Sequence, residues 1–116
     1  MTAPSNKDLC IAYLKSYAAK DLTAIDHMFA DDIILRDWKI RVVGKTLALE
    51  ETQKNFDAVD SLSIDVLANY ENEDTVAAEL KIVIDHTEEL YVTDVITFNQ
   101  SGKITSIRAY VGRGDS

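Results

Sequence analysis

The sequence is poor in the residues that cross-link, kink or loosen a chain. Its 116 residues include one cysteine, one proline and four glycines. A single cysteine excludes an internal disulfide, and so little proline and glycine argues against a flexible linker or low-complexity segment. The two histidines, His27 and His86, have no cysteine or second histidine at ligand spacing. We therefore expect no metal site and no cofactor.

Positive charge and long apolar runs are also scarce. Twelve basic residues stand against twenty acidic ones, a net charge of −8, which argues against nucleic acid or an anionic membrane surface as partner. The apolar run from Leu9 to Leu14 ends at Lys15 and is too short to span a bilayer. We therefore expect a cytoplasmic protein. With 47% hydrophobic residues, the chain is long enough for one domain, residues 1–116, with its own core.

The first half of the sequence has the periodicity of helices. Ser5 followed by Asp8 resembles a capping box, and the apolar spacing after it predicts a helix from about 6 to 19. A shorter helix is predicted from Leu22 until the Asp31-Asp32 pair ends it, followed by a strand over 33–38. After Gly44, a third helix is expected over about 45–59.

From Ser61 onward the apolar period changes to two. This alternation predicts four long strands joined by hairpins, at about 62–70, 76–84, 89–99 and 103–111. Helices first and a meander of antiparallel strands afterwards indicate an α+β fold, with the helices packed on one face of a curved sheet.

Two aspartates interrupt apolar rows of this sheet. Asp94 shares the inner face of its strand with Leu90, Val92, Ile96 and Phe98, where burial should raise its pKa and keep it protonated. Asp37 ends the row of Ile33 and Leu35 near solvent, where it can remain ionised and accept a proton. The sequence thus places two carboxyl groups in opposite environments.

Two stretches of the sequence resemble a known family. "AYLKSYAAKDLTAIDHMFADDIILRD", residues 12–37, resembles the N-terminal helix pair and first strand of bacterial ketosteroid isomerases. "DVITFNQSGKITSIRAY", residues 94–110, resembles their penultimate hairpin. These enzymes belong to the NTF2-like, SnoaL-like superfamily. The resemblance implies a cone of helices on a curved, mostly antiparallel sheet that encloses a pocket. It also implies a homodimer formed through the sheet, for which Tyr91, Val95, Val83 and Ile107 or Tyr110 would supply outward apolar surface.

The resemblance also implies roles for three residues. Tyr13 and a protonated Asp94 would hydrogen-bond the carbonyl oxygen of an enolisable ketone, and Asp37 would be the general base of an allylic isomerisation. The ligand would be a small apolar ketone, steroid or smaller. The pocket around these residues would be lined by Tyr17, Trp38, Phe56, Val92 and Ile96.

Each of these residues also has a purely structural interpretation. Tyr13 could pack in the core, Asp37 could cap backbone amides, and Asp94 could satisfy a buried hydrogen bond. Trp38 stands where the isomerases usually have proline, and could narrow the pocket or pack under the third helix. Two alternatives therefore remain beside the isomerase: a noncatalytic small-molecule-binding or accessory dimer of the same fold, and a SnoaL-like cyclase.

Overall fold

The computed structural model describes residues 3–115, so residues 1, 2 and 116 of the expected domain lie outside the described range. Within that range the chain forms three helices: α1 (Asn6–Ala18), α2 (Leu22–Met28) and α3 (Lys45–Asp57). Its strands are β1 (Phe29–Arg36), β2 (Arg41–Val43), β3 (Leu62–Asn72), β4 (Thr75–Ile84), β5 (Glu88–Phe98) and β6 (Ile104–Val111).

The strands form one six-stranded sheet in the order β2-β1-β6-β5-β4-β3. The β1–β6 pair is parallel and the other pairs are antiparallel. The helices pack on one face of this curved sheet, and the buried core lies between the two layers. The predicted α+β class is confirmed.

The first helix begins as the sequence predicts. The Ser5 hydroxyl accepts a hydrogen bond from the Asp8 amide at 3.1 Å, and the Asp8 carboxylate accepts one from the Ser5 amide at 3.2 Å. This reciprocal pair satisfies amide groups that the first turn of a helix leaves without partners. The cap fixes the start of α1 and therefore which residues of the helix face the sheet, among them the buried Cys10 and Tyr13.

The predicted boundary after α2 is wrong. The helix ends at Met28, and Asp31 and Asp32 lie exposed within β1 instead of stopping the helix. This segment joins the sheet because Phe29 pairs with Ile104 of β6. A register shift between Phe29 and Ile34 interrupts the apolar alternation by which the sequence would indicate a strand. Trp38 lies in the turn after β1, and the short strand β2 was not predicted.

A β-bulge in β3 corrects a second prediction. The inner row that begins at Leu62 continues to Val66, which pairs with Leu80, but the next pairs are Ala68 with Glu79 and Asn69 with Ala78. Leu67 is thus an extra residue, and residues beyond it change faces. Uninterrupted alternation from Leu62 would place Tyr70 on the inner face, but Tyr70 is 59% exposed, and Asn69 takes an inner position.

The same pairing rules decide between the two residues proposed for the outer face of β6. Ile107 pairs with Ile96 on the inner face and is buried, so placing it outside was wrong. Tyr110 lies on the outer face and is half exposed.

No helix within residues 3–115 is long and apolar enough to cross a membrane.

Candidate active site

Asp94 lies at the centre of the inner face of the sheet. It stands directly opposite Ala78 on β4 and Ala109 on β6. Directly opposite residues in an antiparallel pair point to the same face. Because both neighbours are alanines, no large side chain fills the space beside the carboxyl group. Along its own strand Asp94 is flanked on this face by the buried Val92 and Ile96.

One stripe of α1 covers this part of the sheet. Cys10, Tyr13 and Tyr17 follow one another at three- and four-residue spacing, and Asp94 lies close enough to raise the pKa of all three. Burial is the larger cause in each case, and it brings the pKa of the Cys10 thiol to about 12. Cys10 is therefore an inert thiol of the core.

The apolar surroundings change the protonation of Asp94. Desolvation raises its pKa from an ordinary 3.8 to about 7, because the charged form loses hydration that the protein does not replace. The carboxyl group makes no hydrogen bond to any group within residues 3–115, which removes the structural interpretation that a buried hydrogen bond satisfies it. At neutral pH a large share of Asp94 is the neutral acid, which can donate a hydrogen bond.

The hydroxyl of Tyr13 is in a similar position. The residue is 4% exposed, and its ring packs 6.1 Å from those of both Tyr17 and Phe29. The hydroxyl has no hydrogen-bond partner in the described part of the chain, yet no fully buried side-chain oxygen or nitrogen there lacks a partner. The hydroxyl of Tyr13 and the carboxyl of Asp94 must therefore border open space, where both could donate to the oxygen of a ligand.

Asp37 follows the last residue of β1 and is partly exposed. Its Oδ1 atom accepts hydrogen bonds from the amides of Lys39 at 2.7 Å and Ile40 at 2.9 Å, so it caps the turn, as one structural interpretation expects. Its Oδ2 atom accepts none within residues 3–115. One oxygen of the carboxylate therefore fixes the side chain and the other is free to act.

The register places the two aspartates at one level of the sheet. Arg36 pairs with Arg108 in the parallel ladder, so Asp37, the next residue, comes beside Ala109, which pairs with Asp94. Two strand spacings separate the backbones, roughly 10 Å. Ala109 lies between them, so no bulky side chain divides the two carboxyl groups.

The residues predicted to line a pocket differ in burial and position. On β5, the buried residues Val92 and Ile96 flank Asp94. On α3, Phe56 is buried, and the ring of Tyr17 packs edge-on against it with the ring centroids 5.0 Å apart. Trp38 is 45% exposed in the turn after β1, so it does not pack under α3. Thr52 is the buried hydroxyl residue of α3. It donates its proton to the Ala48 carbonyl of its own helix at 2.8 Å, so it does not donate to Tyr13.

Two polar residues near the site escaped sequence analysis. Asn55 on α3 donates a hydrogen bond to the Tyr17 hydroxyl at 3.1 Å. Asn69 occupies the inner row opposite Ala78, two strands from Asp94. The inner position of Asn69 can be predicted from the sequence only if the bulge at Leu67 is recognised. Asn55 has a weaker signal, its position three residues after Thr52 on the helix face that also carries Phe56.

Two clefts on the protein lie away from these residues. A cleft of about 380 Å³ runs between α1 and β3, lined by residues such as Leu14 and Val66, and one of about 250 Å³ lies between Tyr91 and the C-terminal tail. Neither contains Tyr13, Asp37 or Asp94. No group of three or more His, Cys, Asp or Glu side chains within residues 3–115 is arranged to hold a metal ion.

Comparisons with known proteins agree with this fold. Residues 11–107 match the SnoaL-like domain family, whereas no curated protein matches the chain. A similar structure is that of SalBIII, an epoxide hydrolase/cyclase-like enzyme with a described role in pyran ring formation in the polyether salinomycin. It has a TM-score of 0.80 at 22% identity over 92% of this chain and 90% of that one.

Two further structures are similar. An epoxide hydrolase of M. tuberculosis, described as LEH-like, has a TM-score of 0.77 at 16% identity over 90% of this chain and 80% of its own. A protein of Kribbella flavida, provisionally described as a ketosteroid isomerase, has a TM-score of 0.81 at 12% identity over 96% of this chain and 80% of its own. Identities this low establish a shared fold, and the fold serves proteins with different described activities.

The raised pKa of Asp94 predicts how stability depends on pH. Between about pH 4 and pH 7 the folded state binds a proton at Asp94 that the unfolded state has released, so this group's contribution to stability is lost as pH rises towards 7. The shift from 3.8 to about 7 corresponds to about 4 kcal/mol. Asp94→Asn removes this cost.

Urea unfolding of the wild type and Asp94→Asn between pH 4 and pH 8.5 measures the difference. The variant should gain stability relative to the wild type as pH rises to about 7, and the difference should then level off. Asp32→Asn, at an exposed position on β1, is the control. Parallel curves for the wild type and Asp94→Asn would mean that Asp94 has an ordinary pKa.

Proposed function

Because this chain belongs to the SnoaL-like domain family, whose fold forms small-molecule sites, we propose that it is an enzyme that transfers a proton within an enolisable ketone. Tyr13 and protonated Asp94 bind the carbonyl oxygen, and Asp37 is the general base. The observation that carries the proposal is the unpaired carboxyl group of Asp94, whose pKa burial raises to about 7, next to the unpaired hydroxyl of Tyr13.

Two such donors suit an enolate. Removing a proton beside a carbonyl places negative charge on its oxygen, and donors already oriented in an apolar site stabilise that charge more than they stabilise the neutral ketone. Neither donor makes a hydrogen bond within the described chain that a ligand would first have to break. The donors therefore favour the enolate at little cost of reorganisation.

The proton steps fall to Asp37. Its free Oδ2 takes a proton from the carbon beside the carbonyl, and the electron pair of that C–H bond forms the enolate. In a β,γ-unsaturated ketone this enolate is a dienolate, and the same carboxyl group returns the proton to the γ-carbon, leaving the double bond conjugated. The hydrogen bonds from Lys39 and Ile40 hold the base in place while it acts.

We propose that the substrate is smaller than a steroid. Pockets for drug-sized ligands usually have volumes of roughly 300 to 1,000 Å³. Neither cleft of comparable size is lined by Tyr13, Asp37 or Asp94. A monocyclic or short-chain ketone needs less room beside Ala78 and Ala109 than a four-ring molecule does.

A cyclase is the second candidate, favoured by the contrast between the two carboxyl groups. Asp94 with a pKa of about 7 can donate a proton to the oxygen of an epoxide as its C–O bond breaks. Asp37 can take the proton from a hydroxyl group of the same substrate as that oxygen forms the new C–O bond. This ring closure uses the same acid and base as the isomerisation.

Isomerisation of 3-cyclohexen-1-one and of 5-androstene-3,17-dione, followed by the absorbance of the conjugated products, tests the proposal. Asp37→Asn should lower kcat at least 100-fold because the base is lost. Tyr13→Phe and Asp94→Asn should each lower it about 10- to 1,000-fold. We expect the smaller ketone to be the better substrate.

Asp32→Asn, at an exposed position on β1, is the matched control and should retain full activity. If the folded wild type isomerises neither ketone, the isomerase proposal fails. Ring closure of a hydroxy-epoxide by the wild type but not by Asp37→Asn would then favour the cyclase. Activity towards none of these substrates would favour a noncatalytic binding protein.

We further propose that two copies pair through the outer face of the sheet. Arg41, Arg36 and Arg108 stand side by side in one row of β2, β1 and β6. No carboxylate within residues 3–115 forms a salt bridge with any of them. The outer positions of β3 and β4 carry Asp65 and Glu79. A two-fold arrangement in which the basic half of one copy covers the acidic half of the other relieves the repulsion among the arginines.

Sedimentation velocity at several protein concentrations tests this pairing. The wild type should be a dimer that weakens with added salt, and the double substitution Arg36→Glu with Arg108→Glu should raise the dimer Kd at least 10-fold. The double substitution Lys7→Glu with Lys15→Glu, at exposed positions of α1 on the opposite side of the sheet, is the charge-matched control. A wild type that stays monomeric at all concentrations would contradict the proposal.

A further inference from the structure

Tyr17 occupies a position that the proposed reaction does not yet use. It follows Tyr13 by one helical turn, and the two ring centroids are 6.1 Å apart. The edge-on contact with Phe56 at 5.0 Å holds its ring from the side of α3. Its pKa is raised mainly by burial and also by the charges of both Asp94 and Asp37. Tyr17 is therefore near both carboxyl groups of the site.

The hydroxyl of Tyr17 has a fixed role in its hydrogen bond. Asn55 donates an amide proton to the Tyr17 oxygen at 3.1 Å, so the oxygen acts there as the acceptor. The O–H proton of Tyr17 goes to no acceptor within residues 3–115. Because Asn55 is the donor in this bond, the hydroxyl proton of Tyr17 remains available to a ligand.

We propose that Tyr17, oriented by Asn55, is a specificity-determining donor that binds a second oxygen atom of the substrate. This inference rests on the proposed function, because the site of Tyr13 and Asp94 takes the first oxygen. A ligand that spans the space from Asp94 to Asp37 passes Tyr17 on its way. The substrate class is then a ketone with a second acceptor oxygen, such as a carbonyl, hydroxyl or ether group.

The cost of an unmade hydrogen bond is the reason for this preference. Tyr17 is partly exposed in the free protein, so water can accept its proton there. A purely hydrocarbon ligand would displace that water and leave the hydroxyl unpaired, whereas an oxygenated ligand would replace the bond. Leaving one buried polar group unpaired lowers affinity about 5- to 100-fold. The site should therefore discriminate against ketones that carry no second oxygen.

Binding of two planar phenols, followed by their fluorescence, tests the inference without requiring turnover. Phenols resemble a dienolate in shape and in their single oxygen. We expect the wild type to bind naphthalene-2,7-diol, which has a second oxygen, at least 5-fold more tightly than 2-naphthol. Tyr17→Phe should remove this preference and leave the Kd of 2-naphthol nearly unchanged. Tyr13→Phe should weaken both phenols alike.

Asn55→Asp provides a second test that keeps the hydroxyl. The new carboxylate would accept the Tyr17 proton and turn it away from the ligand, so the preference for the diol should also be lost. Asn72→Asp, the same change at an exposed position of the β3–β4 hairpin, should leave the preference intact.

The outcomes separate this inference from the isomerase. A preference for the diol that Tyr17→Phe removes, in a protein that isomerises no ketone, would support Tyr17 as a donor and contradict the proposed reaction. Isomerase activity without a preference for the diol would overturn the inference alone. A wild type that binds neither phenol, or a Tyr17→Phe variant that weakens both phenols alike, would also overturn it.

Discussion

The cost of placing the carboxyl group of Asp94 in an apolar layer is the constraint on which the site depends. Valine and isoleucine flank it along β5, alanines stand beside it on β4 and β6, and the Tyr13 stripe of α1 covers it. These surroundings raise its pKa to about 7 and strengthen any hydrogen bond that it donates. The same low polarity thus destabilises the charged form and suits the neutral form to binding an oxygen.

The sequence was informative where the apolar pattern followed a single period. Strict alternation along β5 predicted that Asp94 faces the core. The capping box at Ser5 predicted the start of the helix that carries Tyr13. The α+β order followed from the change of period near Ser61. Each of these inferences depends only on residues close together in the chain, and the structure agrees with each.

The sequence was uninformative where pairing between distant segments decides the conformation. The bulge at Leu67 moves Asn69 to the inner face, and β1 begins at Phe29 because this residue pairs with Ile104. Asn55 acquires its importance from Tyr17, which is 38 positions away in the chain. Local patterns carry no information on such contacts, so the polar residues around the site could not be predicted completely.

The central claim is that a substantial share of Asp94 is the neutral acid at physiological pH, and its own titration tests this most directly. The side-chain carboxyl ¹³C resonance of Asp94, assigned by its loss in Asp94→Asn, can be followed by NMR between pH 3 and pH 9. We predict a midpoint near pH 7, about three pH units above an ordinary aspartate. A midpoint near pH 4 would show that Asp94 is ionised under physiological conditions and would contradict its role as a donor to the enolate oxygen.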